Sequence, residues 1–237
     1  MPQLQLGLHT LYHDFMALLF PEDCRACAGE LAMGEEVICS HCRIKLPYTD
    51  FHLSPTANPL HEVFWGRVSL QLATAYLKFQ EKGRVQRLLH QLKYKGQEEV
   101  GKVLGKWLGV QLREQEDFRT IDVVVPVPLH PSKLRQRGYN QVEGFAQAIA
   151  QSLEIPMAAD ALQRNRLSTT QTAKNRQDRW EAMQQLYAIH QAQKVKGKHV
   201  LLVDDVITTG ATIEACAQIL LQHGASAVSV ASIAYTL

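Results

Sequence analysis

The sequence predicts an α/β protein, a parallel-sheet domain with a small N-terminal zinc-binding module. Three observations predict it. Val200-Leu201-Leu202-Val203 is an uninterrupted aliphatic run, the pattern of a strand buried on both faces. Such runs alternate with amphipathic helical stretches in the order βαα, βα, β, loop, α, β, α, β, which is the alternation of a parallel α/β sheet. Near the N-terminus two CxxC pairs, Cys24/Cys27 and Cys39/Cys42, stand eleven residues apart. The expected division is residues 1–50 as an N-terminal helix and metal module, 51–67 as a linker, and 68–237 as the α/β domain.

In chain order, Leu8, Leu11, Tyr12, Phe15, Leu18 and Leu19 make a helical stripe that Pro21 ends. Each CxxC bends back as a turn that points two thiolates at one ion. Cys24, Cys27, Cys39 and Cys42 would together complete a tetrahedral shell favouring Zn²⁺ over hard cations. A closed shell of thiolates leaves no place for substrate, so the expected role is structural. His41 lies inside the second turn but is not needed as a ligand, and Gly29 and Gly34 fit a short hairpin between the pairs. So small a module depends on its metal to fold. Pro47, Pro55 and Pro59 mark the linker.

Val68 to Phe79 reads as extended. A helix carrying Val85, Leu88, Leu89 and Leu92 ends at Lys93-Tyr94-Lys95-Gly96, and a second carries Val100, Val103, Leu104, Trp107, Leu108 and Leu112 as core. Ile121 to Pro128 is the next strand, and it must stop pairing near Pro126, which has no ladder donor. Residues 129–141 read as a basic loop, followed by a helix from Val142 to Leu153. After Leu162, residues 164–176 are too polar to be buried and read as a loop over the site. Trp180, Met183, Leu186 and Tyr187 stand at helical spacing, and residues 225–237 alternate as the last strand.

The chemistry concentrates at 200–212. Asp204 and Asp205 follow the buried run, where open α/β sheets place their ligands. Thr208, Thr209, Gly210, Ala211 and Thr212 then lead into a helix lined by Ile213, Ala217, Leu220 and Leu221. Hydroxyls and helix-terminal amides suit a phosphate monoester, with Gly210 allowing close approach, while the paired acids suit a sugar diol. Together they specify a ribose 5-phosphate. No G-x-x-x-x-G-K-[ST] occurs, which excludes a P-loop.

Over residues 200–212 the chain resembles the 5-phosphoribosyl-1-pyrophosphate (PRPP) signature of type I phosphoribosyltransferases. That resemblance implies ribose-hydroxyl contacts at Asp204 and Asp205, and 5′-phosphate contacts at Thr208, Thr209, Gly210, Ala211 and Thr212. It also implies a pyrophosphate loop at residues 126–129, including Val127, Pro128 and Leu129. The four-cysteine module, Arg137-Gly138-Tyr139-Asn140-Gln141 and the signature together resemble the ComF/GntX family of competence-associated phosphoribosyltransferase-like proteins. Lys93-Tyr94-Lys95-Gly96, Arg164 through Gln171, and Arg176 also look like family positions. The family is linked to natural transformation and DNA uptake. If the protein is catalytic, the resemblance implies transfer of ribosyl 5-phosphate from PRPP to an unidentified acceptor. Mg²⁺ would bridge pyrophosphate and ribose, with Lys93, Arg137 or a basic loop residue assisting.

Net charge is only +2, which argues against a polycation. Residues 126–180 nevertheless hold eight Lys/Arg against four acids, a local field suited to a polyphosphate or a nucleic-acid backbone. A non-catalytic PRPP sensor and a single-stranded DNA-binding component of the uptake machinery, working with competence proteins, therefore stay open beside the enzyme. The five cysteines suit a reducing compartment, and no apolar run reaches the length of a membrane span, so the expected location is the cytoplasm. Cys216 reads as a small buried residue, and His90, His130 and His199 as surface or structural histidines.

Overall fold

The computed structural model describes residues 22–165 and 186–236. The expected N-terminal helix, residues 166–176 of the expected loop, and Trp180 and Met183 lie outside them. The chain divides into two compact units, Met1–Leu46 and Pro47–Leu237.

In the first unit, the Cys24/Cys27 turn is closed by the Cys24 amide, which donates to Gly29 O at 2.8 Å, and is flanked by an antiparallel bridge between Asp23 and Glu30. The paired backbone brackets the first CxxC, and Arg25 N, donating to Val37 O at 2.9 Å, ties it to the approach to the second pair. The second pair opens a short helix, α1 (Ser40–Ile44), whose N-cap is Cys39.

The second unit begins earlier than expected. Residues 51–67 are not a solvated linker. They include helix α2 (Pro59–Glu62), and Leu60 and Phe64 are buried in the main core. Pro59 opens α2 instead of marking an open linker, and the apolar residues Leu60 and Phe64 supply the burial. Just upstream, Pro47–Thr49 lies along the outer edge of β1 (Ala73–Lys78), with Thr49 N donating to Tyr76 O and Lys78 N to Pro47 O. This covers donors and acceptors that an open edge would expose.

Helices α3 (Arg84–Tyr94) and α4 (Glu98–Glu114) follow, then β2 (Val123–Pro126). The stretch expected as a basic loop instead contains helix α5 (Pro131–Arg137). Proline at its first position costs no hydrogen bond, His130 Nδ1 accepts from Ser132 N, and Gly138 ends it at φ 82°. Helix α6 (Gln141–Leu153) leads to β3 (Leu162–Arg164), which pairs antiparallel with β4 (Tyr187–Ile189). Leu186 and Tyr187 are therefore not helical; their apolar character serves a hairpin. Strand β5 (His199–Ile207), helix α7 (Ala211–Gln222) and strand β6 (Ala227–Tyr235) complete the unit.

The sheet order is β1-β6-β5-β2, all parallel. Alternate residues such as Ala73, Val125, Leu202 and Val230 join a core with Ile213, Ala217 and Leu220 of α7. Helix α6 packs against β2 and β5, and α4 packs closely on α6. That close approach uses Gly101, Gly105 and Gly109, one turn apart on α4. A Cβ at Gly105 would stand 2.4 Å from Phe145 O, and one at Gly109 would stand 2.6 Å from Ser152 Cβ. Trp107 and Val103, expected in the core, are only half-buried, because the glycine stripe faces α6 in their place.

Candidate functional site

Strand β5 continues two residues beyond the acid pair, to Ile207, with Val206 and Ile207 still in register with Ala234 and Tyr235 of β6. On its other side, β2 stops at Pro126, opposite Val203. The sheet is therefore open on the β2 side just where Asp204 and Asp205 emerge. There lies a pocket of about 250 Å³, lined by Asp204, Asp205, Lys93, Arg137, Val127, Pro128, Leu129 and Thr212. Residues from widely separated stretches of sequence meet in it. Thr208, Thr209 and Gly210 form the turn between β5 and α7, Ala211 opens the helix, and these four do not contribute to this wall. Thr208 and Thr209 are exposed, and α7 starts with no side-chain cap on its amides. Among the described residues no peptide bond is cis.

The two acids are held differently. Asp205 is buried, and its Oδ2 accepts from Gln141 Nε2 at 2.9 Å and pairs with Lys93 Nζ at 2.9 Å. Gln141 is itself oriented by Arg137, whose Nη1 donates to Gln141 Oε1 at 2.7 Å. Asp204 is half-buried, and its Oδ1 accepts from the Asp205 amide at 2.8 Å. Each acid thus keeps one oxygen, Asp205 Oδ1 and Asp204 Oδ2, without a partner among the described residues. Two adjacent acceptors of this kind suit the vicinal hydroxyls of a sugar. Burial, reinforced by the Asp205 charge, pushes the Asp204 carboxyl up to about 8.

Among the other pocket residues, Asn140, Gln141 and Arg164 are marked in the sequence only as family positions without a role, and Tyr187 reads as helical. Gln141 and Asn140 close the Arg-Gly-Tyr-Asn-Gln run, where only their adjacency to Arg137 marks them. Asn140 caps α6 and donates to Val127 O at 3.1 Å, tying that loop to the helix. Tyr187 and Arg164 face each other across the β3–β4 pair, with the guanidinium 5.3 Å from the ring centre. Arg164 Nε is buried with no hydrogen-bond partner among the described residues. Burial, then the Cys216 and Asp204 charges against the opposing pull of Arg164 and Thr212, pushes the Tyr187 phenol up to about 12. Tyr94 stands at the mouth, largely exposed, with Arg137 5.2 Å from its ring centre. Cys216 is fully buried, as expected, and burial raises its thiol far above the ordinary range.

The metal module is separate. The sulfurs of Cys24, Cys27, Cys39 and Cys42 all lie within 4.8 Å of one another, with Cys27 Sγ and Cys39 Sγ 3.9 Å apart. Tetrahedral zinc with bonds of about 2.3 Å needs sulfurs about 3.8 Å apart, so the cluster fits the ion. Amides of Cys39, Gly29 and Cys42 point at Cys24, Cys27 and Cys39 sulfurs respectively, at 3.3–3.4 Å. Burial would raise the Cys24 thiol, but the amides of Cys39, Ala26 and Cys27 outweigh it and bring the group down to about 7. That favours the thiolate a metal requires.

A parallel sheet with helices on both faces and a pocket at the carboxyl end of its central strands defines a phosphoribosyltransferase-like domain. The family model described as "Phosphoribosyl transferase domain" matches residues 143–236. DNA utilization protein YhgH of Escherichia coli (strain K12) is 30% identical over 93% of this chain and 100% of its own length. Competence protein F of Haemophilus influenzae is 24% identical over 87% of this chain and 94% of its own. The chain belongs to the ComF/GntX family of competence-associated phosphoribosyltransferase-like proteins. Among solved structures, the allosteric regulatory enzyme of purine biosynthesis is 21% identical with a TM-score of 0.44, covering 61% of this chain and 30% of that one.

Proposed function

We propose that this protein binds PRPP with Mg²⁺ and transfers its ribosyl 5-phosphate to an acceptor, in the service of DNA uptake. The observation that carries the reading is the gathering of Asp204, Asp205, Lys93, Arg137 and the Val127–Leu129 loop around one pocket. In the proposed complex, Asp204 and Asp205 accept from the ribose hydroxyls through their unpartnered oxygens. Thr208, Thr209 and Thr212, with the uncapped amides of α7, receive the 5′-phosphate. The Val127–Leu129 loop and the Arg137 guanidinium take the pyrophosphate. Lys93 has three donors, so it can hold Asp205 and a phosphate oxygen at once. Mg²⁺, carried on the pyrophosphate and held by Asp204 and Asp205, would neutralise charge on the leaving group.

In the reaction the C1–oxygen bond to pyrophosphate breaks as the acceptor's lone pair bonds to C1. Positive charge develops on C1 and the ring oxygen, and the electron pair of the broken bond leaves on pyrophosphate. The cations at Lys93 and Arg137 stabilise that departing charge, which is where preorganised electrostatics act most strongly. The DNA-uptake context is supported by relatives named for DNA utilization and competence.

The test is incubation with PRPP, Mg²⁺ and a panel of bases and amines, following pyrophosphate and the mass of each acceptor. The expected result is time-dependent pyrophosphate release with one acceptor gaining a ribosyl phosphate. PRPP binding with no release across the panel would select a sensor instead. A second reading, direct binding of single-stranded DNA, is supported by exposed Tyr94 beside Arg137. It predicts a steep salt dependence that PRPP does not alter.

A further inference from the structure

We infer that Arg67 is a positioning residue for the phosphate turn, acting by holding Thr209 and by neutralising Glu214 in the first turns of α7. The inference rests on the proposed binding of a ribose 5-phosphate at Thr208–Thr212. Arg67 belongs to the segment whose prolines read as a linker, and no motif marks it.

Its contacts all converge on that turn. Arg67 Nη1 donates to Thr209 O at 2.7 Å and to Val63 O at 3.1 Å. Its Nε and Nη2 both reach Glu214 Oε2, at 3.0 and 2.5 Å. Gln218 Nε2 of the same helix donates back to Arg67 O at 3.3 Å. Phe64 fills the space behind the turn: a Cβ at Gly210 would stand 2.7 Å from Phe64 Cε1, and Gly210 sits at φ +75°. The backbone of the turn is thus pressed from behind by Phe64 and fixed at its Thr209 carbonyl by Arg67.

Charge gives the contact a second consequence. A carboxylate near a helix N-terminus is favourable in an empty protein, but it repels a phosphate dianion that uses the same amides. Glu214 is only 14% exposed, so solvent screens it weakly. Bound to Arg67 it is neutralised locally, and the amides of α7 keep their positive potential for phosphate. The pair is therefore asymmetric. Losing the arginine leaves a buried acid beside the phosphate, whereas losing the acid leaves a cation there.

Isothermal titration of the full chain, with Mg²⁺, using ribose 5-phosphate and inorganic pyrophosphate as separate probes, tests this. Arg67→Gln should raise the Kd for ribose 5-phosphate about tenfold, the size expected for a partly buried charge at a helix terminus. Pyrophosphate affinity should stay within about twofold, since its proposed contacts lie elsewhere. Glu214→Gln should bind ribose 5-phosphate as tightly or more tightly, and the double variant should recover most of the loss. A purely structural pair would weaken both probes together and make the two single changes equivalent. Either of those results, or an unchanged Kd in Arg67→Gln, overturns the inference. If Arg67→Gln does not fold, Glu214→Gln and Arg67→Lys decide it, with weaker ribose 5-phosphate binding in Glu214→Gln counting against it. Failure of the unsubstituted protein to bind ribose 5-phosphate would instead sink the parent reading, and this one with it.

Discussion

The two units of this chain solve the same problem in opposite ways. In the first, Cys24 and Cys42 are among the few fully covered side chains, and Met33 and Ile44 stand exposed. With so little apolar burial, the centre of the unit is the four-thiolate cluster itself. In the second, whole strands are covered, from Leu72 to Leu77 and from Val200 to Val203, and the core continues through α4, α6 and α7. The contrast teaches where each unit can be broken: one through its cysteine cluster, the other through its packing.

The largest effect is expected from the metal. Structural zinc in small modules is worth about 10 kcal/mol or more, most of their folding free energy. Cys42→Ser, or a strong chelator, should unfold residues 22–46 while the α/β unit keeps its own cooperative melting transition. Hydrogen exchange resolved by segment checks this, and loss of protection throughout the chain would erase the contrast. Next comes packing. Gly105→Ala drives a methyl into the Phe145 backbone, which cannot swing aside as a side chain can. A loss of about 1–3 kcal/mol is expected in urea unfolding of the α/β unit, with zinc content unchanged.

The site inside the α/β unit sharpens the comparison further. Gln141→Leu removes one of two donors to Asp205 Oδ2, and with it the link to Arg137. The Kd for PRPP should rise about tenfold and the thermal midpoint should fall by a few degrees, because the bond already exists in the unliganded protein and a hydrogen bond to a charged group is worth about 1.5–3 kcal/mol. The smallest effect is a gain. Asp204 has a folded pKa raised to about 8, above its ordinary value of 3.8. Folding is therefore least hindered by this group below its unfolded pKa, and stability is lost as pH rises through the folded value. Asp204→Asn should raise the thermal midpoint, on the order of 2 °C, with the gain larger at pH 9 than at pH 5. Melting curves across that range check the sign, and PRPP binding should fall in the same variant.

Local patterns were legible where one short stretch holds all the relevant residues. The CxxC spacing marks its four ligands because each turn carries both of its thiols. The 200–212 run marks strand, acids, turn and helix because they follow one another along the chain. Lys93 and Arg137 could be named through the runs that carry them, but not their partners. The Lys93–Asp205 pair spans more than a hundred residues, and its geometry comes from where α3 ends relative to β5. Tyr187 misled for a related reason: apolar residues at helical spacing also fit a short strand, and only pairing with Arg164 distinguishes them. Trp107 read as core because it stands at helical spacing with Val103, Leu104 and Leu108, yet α4 meets α6 along glycines, which carry no hydrophobic signal at all.

The amino-acid sequence by itself determined the α/β class, the four-cysteine cluster and the strand–turn–helix run at 200–212, since each is encoded by residues near one another. Tertiary structure alone decided that residues 51–67 back the turn after β5, that Gln141 and Lys93 share one oxygen of Asp205, and that Tyr187 reaches the pocket. These contacts join elements far apart in the chain. Their geometry follows from how the helices seat on the sheet, a property of the packed whole that no local periodicity carries.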